Sequence, residues 1–481
     1  MPTSNNASAN NTTAVPPRWR FWLLAAFLTL VFLTGGASRI DVQSLLILRP
    51  ASVFMCAIAL ISLRKEHLSG RQWLLTGLGT IMLLALLHLI PLPPCVWQTL
   101  PGRDVVLAVE KLVGIGGEWR PLTLTPMNGW HAFASLFTPL AVLLLGVQLS
   151  RDDLFRCLMV LIGFGALSGL LGLLQVVGDP RGPLYFYRIT NNGASVGLFA
   201  NRNHAAVLLA SMFPMLAIYA AGIVGSDSQQ RRRKIIAAVI AIMLVPLILV
   251  TGSRTGLILA LVGLTGAGVL YSQTAVPFAA GKKPPRFGNR TILAAVAVAV
   301  TGMCMTTYFF ARAEAIDRLI AGSGSEDNRG DFWAISLEQF WTYFPVGSGS
   351  GSFVEAFQIA EPNIYLDSTY LNHAHNDWIE VAMTWGVPGV LLIAAAIWLY
   401  GQRLFVVWRR RDARHRPVAM ARMASMLLAI LAMGSFADYP LRTSSMMAVF
   451  VLASLWLVEA GRNQFGNSGD SPVIARTGAQ D

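Results

Sequence analysis

Charged residues are scarce in this sequence of 481 residues. Only 13% of them are Asp, Glu, Lys or Arg, which is about half the share found in a soluble globular domain. Hydrophobic residues make up 54%, and a single core cannot hide that much apolar surface. The composition excludes a soluble protein, a disordered chain and a collagen-like fibre, so lipid must solvate much of the molecule.

Cysteine is also rare. The four cysteines are Cys56, Cys95, Cys157 and Cys304, which are widely spaced and lie mostly within apolar runs. This pattern supports neither a CxxC metal site nor a disulfide framework. We therefore expect no redox function, and no cofactor is expected.

Long apolar runs recur along the chain, and about twelve of them can cross about 30 Å of hydrocarbon. One of these runs, the second, contains a charged residue, Arg49. The pattern predicts an all-α, polytopic integral membrane protein of about twelve transmembrane helices. The predicted spans lie near residues 21–35, 46–63, 73–90, 130–149, 154–177, 197–224, 235–251, 255–273, 291–311, 378–400, 419–437 and 443–460.

The basic residues alternate with these runs and so predict the orientation. Of 37 Lys and Arg residues, 23 lie in the termini and in every second connection, as expected where basic residues remain cytoplasmic. The net charge of +12 therefore indicates basic loops at the cytoplasmic membrane surface rather than a nucleic-acid partner. Both termini are predicted to be cytoplasmic, and the first run is predicted to be an uncleaved signal anchor.

The resulting domain organisation has five parts. A cytoplasmic tail and a block of nine helices come first, followed by a long periplasmic loop that holds active-site residues. Three further helices and a disordered cytoplasmic tail complete the chain. The boundaries are 1–20, 21–311, 312–376, 377–460 and 461–481.

Two polar clusters lie at the predicted outer ends of spans, where ionisable groups are costly and often functional. Asn201 and Asn203 can cap the sixth span, and Arg202 with the free helix N–H groups would form an anion site. The alternative is a plain cap with an interfacial arginine. Arg254 lies in a tight turn at 251–256, where it could bind a substrate phosphate or snorkel to lipid phosphate.

Two more clusters lie in the long outer segment. Arg329 begins a short amphipathic helix, and 347–351 predicts a flexible Gly/Ser turn, more typical of a loop than of a phosphate cradle. His373 and His375 precede Asn376 and the tenth span. Two histidines alone are weak evidence for a metal, whereas imidazoles beside carboxylates suit proton transfer.

These motifs together resemble the O-antigen ligase family of bacterial membrane glycosyltransferases, which also includes surface-polysaccharide polymerases. His375-Asn376, nine residues and Gly386-Val387-Pro388-Gly389 fit the family signature at full spacing. The resemblance covers most of the chain from about residue 90. Further matching stretches are Ser253-Arg254, Arg329 with Trp333, the Pro-Val-Gly-Ser-Gly-Ser-Gly-Ser-Phe segment at 345–353, and Asp438-Tyr439-Pro440-Leu441-Arg442.

The resemblance implies a GT-C-like fold in the bacterial inner membrane. It also implies metal-independent transfer of a glycan from undecaprenyl diphosphate to an acceptor at the periplasmic face. His375 would be the catalytic base, while Arg254 and Arg329 would bind the diphosphate, because guanidinium groups stabilise the charge that develops on that leaving group. The remaining candidates are Arg202 at the diphosphate, Asn376 and Asn201 in support, and His373 and His204 as rivals for the base.

Several functions stay open at this point. Ligation to lipid A-core is slightly favoured over polymerisation of a lipid-linked chain, and transfer to protein is a further possibility, because the residues do not identify the acceptor. A transporter or flippase is the rival from another class, and a non-catalytic scaffold is the last alternative.

Overall fold

The structure, a computed structural model, describes residues 18–222, 227–274, 329–366 and 369–460. These residues are mostly helical. Two strands of two residues each, β1 (Pro91–Leu92) and β2 (Arg120–Pro121), pair antiparallel. The predicted all-helical character is confirmed in this part of the chain.

Seventeen helices occur in the described residues and are numbered in chain order. Two 3-10 turns accompany them, at Asn363–Tyr365 and Pro440–Arg442. The helices are α1 (Trp19–Thr34), α2 (Leu45–Ser62), α3 (Lys65–Leu68), α4 (Gln72–Leu87), α5 (Pro94–Trp97), α6 (Asp104–Val113), α7 (Pro126–Ser135), α8 (Phe137–Gly146), α9 (Arg151–Val177), α10 (Arg202–Ala221), α11 (Asp227–Val250), α12 (Arg254–Thr274), α13 (Arg329–Thr342), α14 (Phe353–Ala360), α15 (Asp377–Arg409), α16 (Arg416–Ala437) and α17 (Ser444–Glu459).

Helices lie at eleven of the twelve predicted spans. Eight helical stretches in the described residues are long and apolar enough to cross a membrane, with α7 and α8 forming one stretch, and α1, α4 and α17 are shorter apolar helices. The ninth predicted span, 291–311, lies outside the described residues, as does the tail 461–481. The protein is a multi-pass helical membrane protein.

Two spans differ from their predicted boundaries. The sixth begins at Arg202 rather than near 197, because the side chain of Asn201 accepts a hydrogen bond from the Asn203 N–H at 2.8 Å and caps α10. The fourth is divided at Leu136 into α7 and α8. Pro139 lacks the N–H that would bond to the Ser135 carbonyl, and its ring crowds that carbonyl.

Helix α10 forms the centre of the bundle. Almost all of its residues are buried, and it packs against α9, α11, α12 and α16. Glycines allow the backbones of α10 and α12 to approach closely. A Cβ at Gly263 would lie 2.6 Å from the Ala210 carbonyl oxygen, and one at Gly256 would lie 2.4 Å from the Cβ of Ala206.

One end of the bundle, the site end, gathers the candidate residues. The N-terminal ends of α10, α12, α15 and α17 meet there with the C-terminal end of α16. Gly434 near the end of α16 contacts Val207 near the start of α10. The loop after α1 lies at the same end, because the Ser445 N–H donates to the Gly35 carbonyl at 3.0 Å and the Ala200 N–H donates to the Gly36 carbonyl at 3.1 Å.

Helix α15 is interrupted at Gly386, whose φ of 58° and ψ of −141° are not helical. The segment 345–349 bonds to the interrupted backbone. Pro345 O accepts from the Val387 N–H at 2.8 Å, and the Gly349 N–H donates to Thr384 O at 2.8 Å. The groups that the break leaves unpaired are therefore satisfied by a neighbouring segment.

The Gly/Ser segment differs from the flexible turn that its composition predicted. Ser348 and Ser350 are buried, and Gly349 has a φ of 99°. A Cβ at Gly347 would lie 2.5 Å from Thr384 O, and one at Gly349 would lie 2.1 Å from the Cα of Thr123. The glycines are needed because backbone packs against backbone here.

Candidate active site

A buried carboxylate, Asp438, stands at the centre of the site end, directly after α16. His375 Nδ1 lies 3.1 Å from Asp438 Oδ1. The Tyr439 N–H donates to the same oxygen at 3.0 Å, and the side-chain amides of Asn203 and Asn201 donate to Oδ2. Asp438 thus accepts hydrogen bonds from two loops and from the start of α10.

The carboxyl group of Asp438 is ionised. Burial raises its pKa, but the neighbouring charges of His375, His204 and Arg329, together with the hydrogen bond from His375, outweigh burial and hold the pKa well below its usual range. An ionised carboxylate can only accept hydrogen bonds, so Nδ1 of His375 must carry the proton that it shares with Asp438. Nε2 of His375 is then a free acceptor when the ring is neutral.

His375 is held in a specific backbone conformation. Its φ of 51° lies in the left-handed region, which non-glycine residues rarely occupy and which is often found at functional sites. The next residue, Asn376, caps α15, and its side-chain oxygen accepts from the N–H groups of Trp378 at 3.0 Å and Ile379 at 3.2 Å. The cap fixes the chain that presents the imidazole.

Three imidazoles surround the ring of Tyr439. Their centroids lie 4.9 Å (His204), 4.5 Å (His373) and 4.9 Å (His375) from the centroid of the phenol ring. Burial and the adjacent charge of Asp438 raise the pKa of the Tyr439 hydroxyl. The hydroxyl therefore stays protonated, and the side chain is uncharged.

The three histidines differ in access. The side chain of His375 is 24% exposed and that of His373 is 15% exposed, whereas that of His204 is 1% exposed. His204 Nε2 lies 3.9 Å from Asp438 Oδ1. A substrate hydroxyl can reach His375 more readily than His204, which favours His375 among the three candidate bases.

A second carboxylate group holds His373. Its Nδ1 lies 3.0 Å from Glu380 Oε1, and Arg442 Nη2 lies 3.3 Å from the same oxygen. Arg442 Nε also bonds to Asp377 at 2.9 Å. Burial lowers the pKa of Arg442, but the two carboxylates raise it more, so the net shift is upward. Glu380 and Arg442 therefore hold the Nδ1 side of His373 in place.

The candidate cations lie near these groups but have different surroundings. Arg329 Nη1 donates to the carbonyl of Ala437 at 3.1 Å, one residue before Asp438. Arg254 is the first residue of α12 and is exposed, and Arg202 is the first residue of α10. Both begin helices whose first turns are in contact. The structure thus brings all eight predicted site residues to the site end.

Sequence reasoning named Asp438, Tyr439, Glu380 and Arg442 within motifs but gave none of them a role in the site. The signal for such a role was the Asp-Tyr-Pro-Leu-Arg stretch, which places two charges between two predicted spans. Charged residues in or beside a span are often functional. Within the described residues, no three ligand-type side chains are grouped as a metal site.

Fold and site together define a multi-pass helical membrane protein with a histidine–carboxylate centre at one end of its bundle. Residues 238–394 match the family model described as O-Antigen ligase, which confirms the resemblance predicted from the motifs. No curated protein matches the chain significantly. The match supports O-antigen ligase or polymerase-type function, a glycosyltransferase-like ligase activity and lipid-linked glycan substrates in general. The twelve-helix count and the GT-C architecture stay predictions.

Proposed function

We propose that the protein is a metal-independent glycosyltransferase of the bacterial inner membrane. It would transfer a glycan from undecaprenyl diphosphate to an acceptor at the periplasmic face, and ligation to lipid A-core is the first candidate reaction. The observation that carries this proposal is the 3.1 Å pair between the partly exposed His375 and the buried Asp438. The family match supports it.

The pair would act on the acceptor hydroxyl. Because Nδ1 of His375 donates to Asp438, the lone pair on Nε2 is available to take the hydroxyl proton. The acceptor oxygen then bonds to the anomeric carbon while the bond from that carbon to the diphosphate oxygen breaks. The buried carboxylate stabilises the imidazolium that forms, as in other histidine–carboxylate pairs.

The leaving diphosphate would be stabilised by the cations of the site end. Negative charge grows on this group in the transition state, and Arg254, Arg329 and Arg202 supply guanidinium groups. The N-terminal turns of α10 and α12 add the positive ends of their dipoles. A lipid-linked donor fits this placement, because its prenyl tail stays in the bilayer while the diphosphate meets the helix ends.

Polymerisation would use the same residues, with a lipid-linked chain as acceptor in place of lipid A-core. A transporter would instead place paired charges near the middle of its spans, whereas the histidines and carboxylates described above lie at helix ends. Product identity separates ligation from polymerisation, so the decisive assay must resolve the product.

The test is an in vitro transfer assay with purified lipid-linked donor and separate acceptors: lipid A-core, lipid-linked chain and peptide. Replacing His375 with Ala is expected to lower transfer by about 10²–10⁴-fold, because a positioned base is lost. His415→Ala is the matched control, since this histidine is exposed and directly precedes α16 at the opposite end. Normal transfer by His375→Ala in folded protein would refute the proposed base.

A further inference from the structure

Arg49 is a cation inside a predicted span. It is the fifth residue of α2, one turn from the site end, and the helix with Arg49 included has a mean hydropathy of 2.1. Its Nη1 lies 2.7 Å from Nδ1 of His131 on α7. An arginine at this depth is costly and usually marks a functional contact.

The described part of the protein does not balance the charge of Arg49. Nδ1 of His131 accepts the hydrogen bond from the guanidinium, so the imidazole is neutral and adds no countercharge. Among the residues that the structure describes, no carboxylate pairs with Arg49, and its buried Nε has no hydrogen-bond partner. Arg39, at the same end, differs because two hydrogen bonds of 2.9 Å join it to Asp41.

The rest of the seam between α2 and α7–α8 is neutral and internally matched. The hydroxyls of Ser52 and Thr138 lie 2.8 Å apart, and Ser62 donates to Gln148 at 2.8 Å. Helix contact along this seam therefore does not require a charge. Leu46 beside Arg49 is 79% exposed and Trp130 beside His131 is 51% exposed, so the open edge of the seam faces lipid.

Simple snorkelling does not describe this arginine. A snorkelling side chain extends its head into the aqueous layer, whereas His131 holds the Arg49 guanidinium against α7 and its Nε is buried. Because Arg49 is only partly buried, an acceptor that also carries negative charge can approach the outer N–H groups of its guanidinium. A lipid phosphate at headgroup depth is such an acceptor, and the planar guanidinium suits it.

We propose that Arg49 and His131 form a binding site for the phosphate of an anionic phospholipid in the leaflet at the site end. The lipid would fill the edge of the α2–α7 seam and supply the missing negative charge. This site is separate from the His375–Asp438 centre, and its test does not depend on glycan transfer.

The experiment measures lipid binding to detergent-purified protein by native mass spectrometry. Phosphatidylglycerol, phosphatidylcholine and inorganic phosphate are the three probes. Arg49→Gln removes the charge but keeps an N–H that can donate to His131. We expect it to weaken the tightest phosphatidylglycerol site by at least about tenfold, the effect of losing one charge-assisted contact. Arg39→Gln is the matched control and should leave that site unchanged.

Other outcomes overturn the proposal. These are unchanged phosphatidylglycerol binding by Arg49→Gln, equal losses in Arg39→Gln and Arg49→Gln, equal affinity for phosphatidylcholine, and displacement of the lipid by equimolar inorganic phosphate.

Circular dichroism reports whether each variant is folded. If Arg49→Gln does not fold, Arg49→Lys keeps the charge and loses the planar fork, and it should still bind phosphatidylglycerol at least about threefold more weakly. Wild-type affinity in Arg49→Lys would also refute the site.

Discussion

The two ends of the helical bundle both contain buried charges, but they use them differently. At the end opposite the site end, the closed end, Arg71 pairs with Glu459 and also donates to the carbonyl of Val147. Arg151 lies 3.5 Å from the other oxygen of Glu459. Arg71 is 1% exposed and Glu459 is 5% exposed, whereas Arg151 is 46% exposed, so the central pair of this cluster is buried.

At the site end, the central charged pair is only partly buried. The side chain of His375 is 24% exposed although its partner Asp438 is buried. Nδ2 of Asn376 and Nε2 of His373 are buried without a hydrogen-bond partner, which is costly unless a ligand compensates. Closed ion pairs join helices, whereas a partly open pair with unsatisfied neighbours is suited to binding a substrate.

Removing the carboxylate charge at the site end should have the largest effect. Asp438→Asn is expected to lower transfer by about 10³-fold, because an amide neither stabilises an imidazolium nor enforces the required tautomer. The measurement is kcat in the transfer assay, on protein with a normal elution profile. Asp412→Asn, at an exposed carboxylate near the closed end, is the control. Equal activity in both variants would mean that Asp438 has only a structural role.

Breaking the closed-end pair should affect stability rather than chemistry. Glu459→Gln leaves Arg71 buried without its countercharge, which costs about 3–5 kcal/mol of unfolding free energy. Thermal or denaturant unfolding in detergent measures this loss, and activity per folded molecule should not change. The exposed pair of Arg64 and Glu66 provides the control Glu66→Gln, which should be neutral. A selective loss of kcat in Glu459→Gln would contradict the contrast between the two ends.

The site-end arginines give a smaller but more specific prediction. Arg254→Lys and Arg329→Lys should each lower transfer or donor binding by at least about tenfold, because lysine keeps the charge but cannot bind phosphate bidentately. Snorkelling and loop solvation would both tolerate lysine. Arg188→Lys, at a side chain that is 88% exposed, serves as control. Wild-type transfer by both lysine variants would refute a diphosphate clamp.

His373 should have the smallest effect of the site histidines. Its partner Glu380 is also held by Arg442, so His373→Ala is expected to lower kcat/KM by about tenfold or less, as for a residue that supports a base. His375→Ala measured in parallel gives the comparison. The reverse order of effects would assign the base to His373.

The sequence predicted the spans because their signal is local. Length and hydropathy of each apolar run are enough to place a membrane helix, and Asn201 caps α10 as its position suggested. The contact between Asp438 and His375 has no local signal, because the two residues are 63 positions apart and two helices separate them. Only tertiary packing brings the pair together. The break at Gly386 was not predicted either, because the length of the apolar run at 378–400 outweighed the local helix-breaking signals of Gly386 and Pro388.

The interruption of helix α15 limits the substitutions that the protein can tolerate in the segment packed against it. Segment 345–349 joins the break through main-chain groups, for instance between Ser348 N and Met383 O at 3.2 Å. Main-chain bonds do not depend on which side chain a residue carries, so Val346 can vary in identity where there is space. Gly347 and Gly349 cannot, because any side chain would meet a neighbouring backbone. Libraries of random variants should therefore recover many residues at 346 and only glycine at 347 and 349.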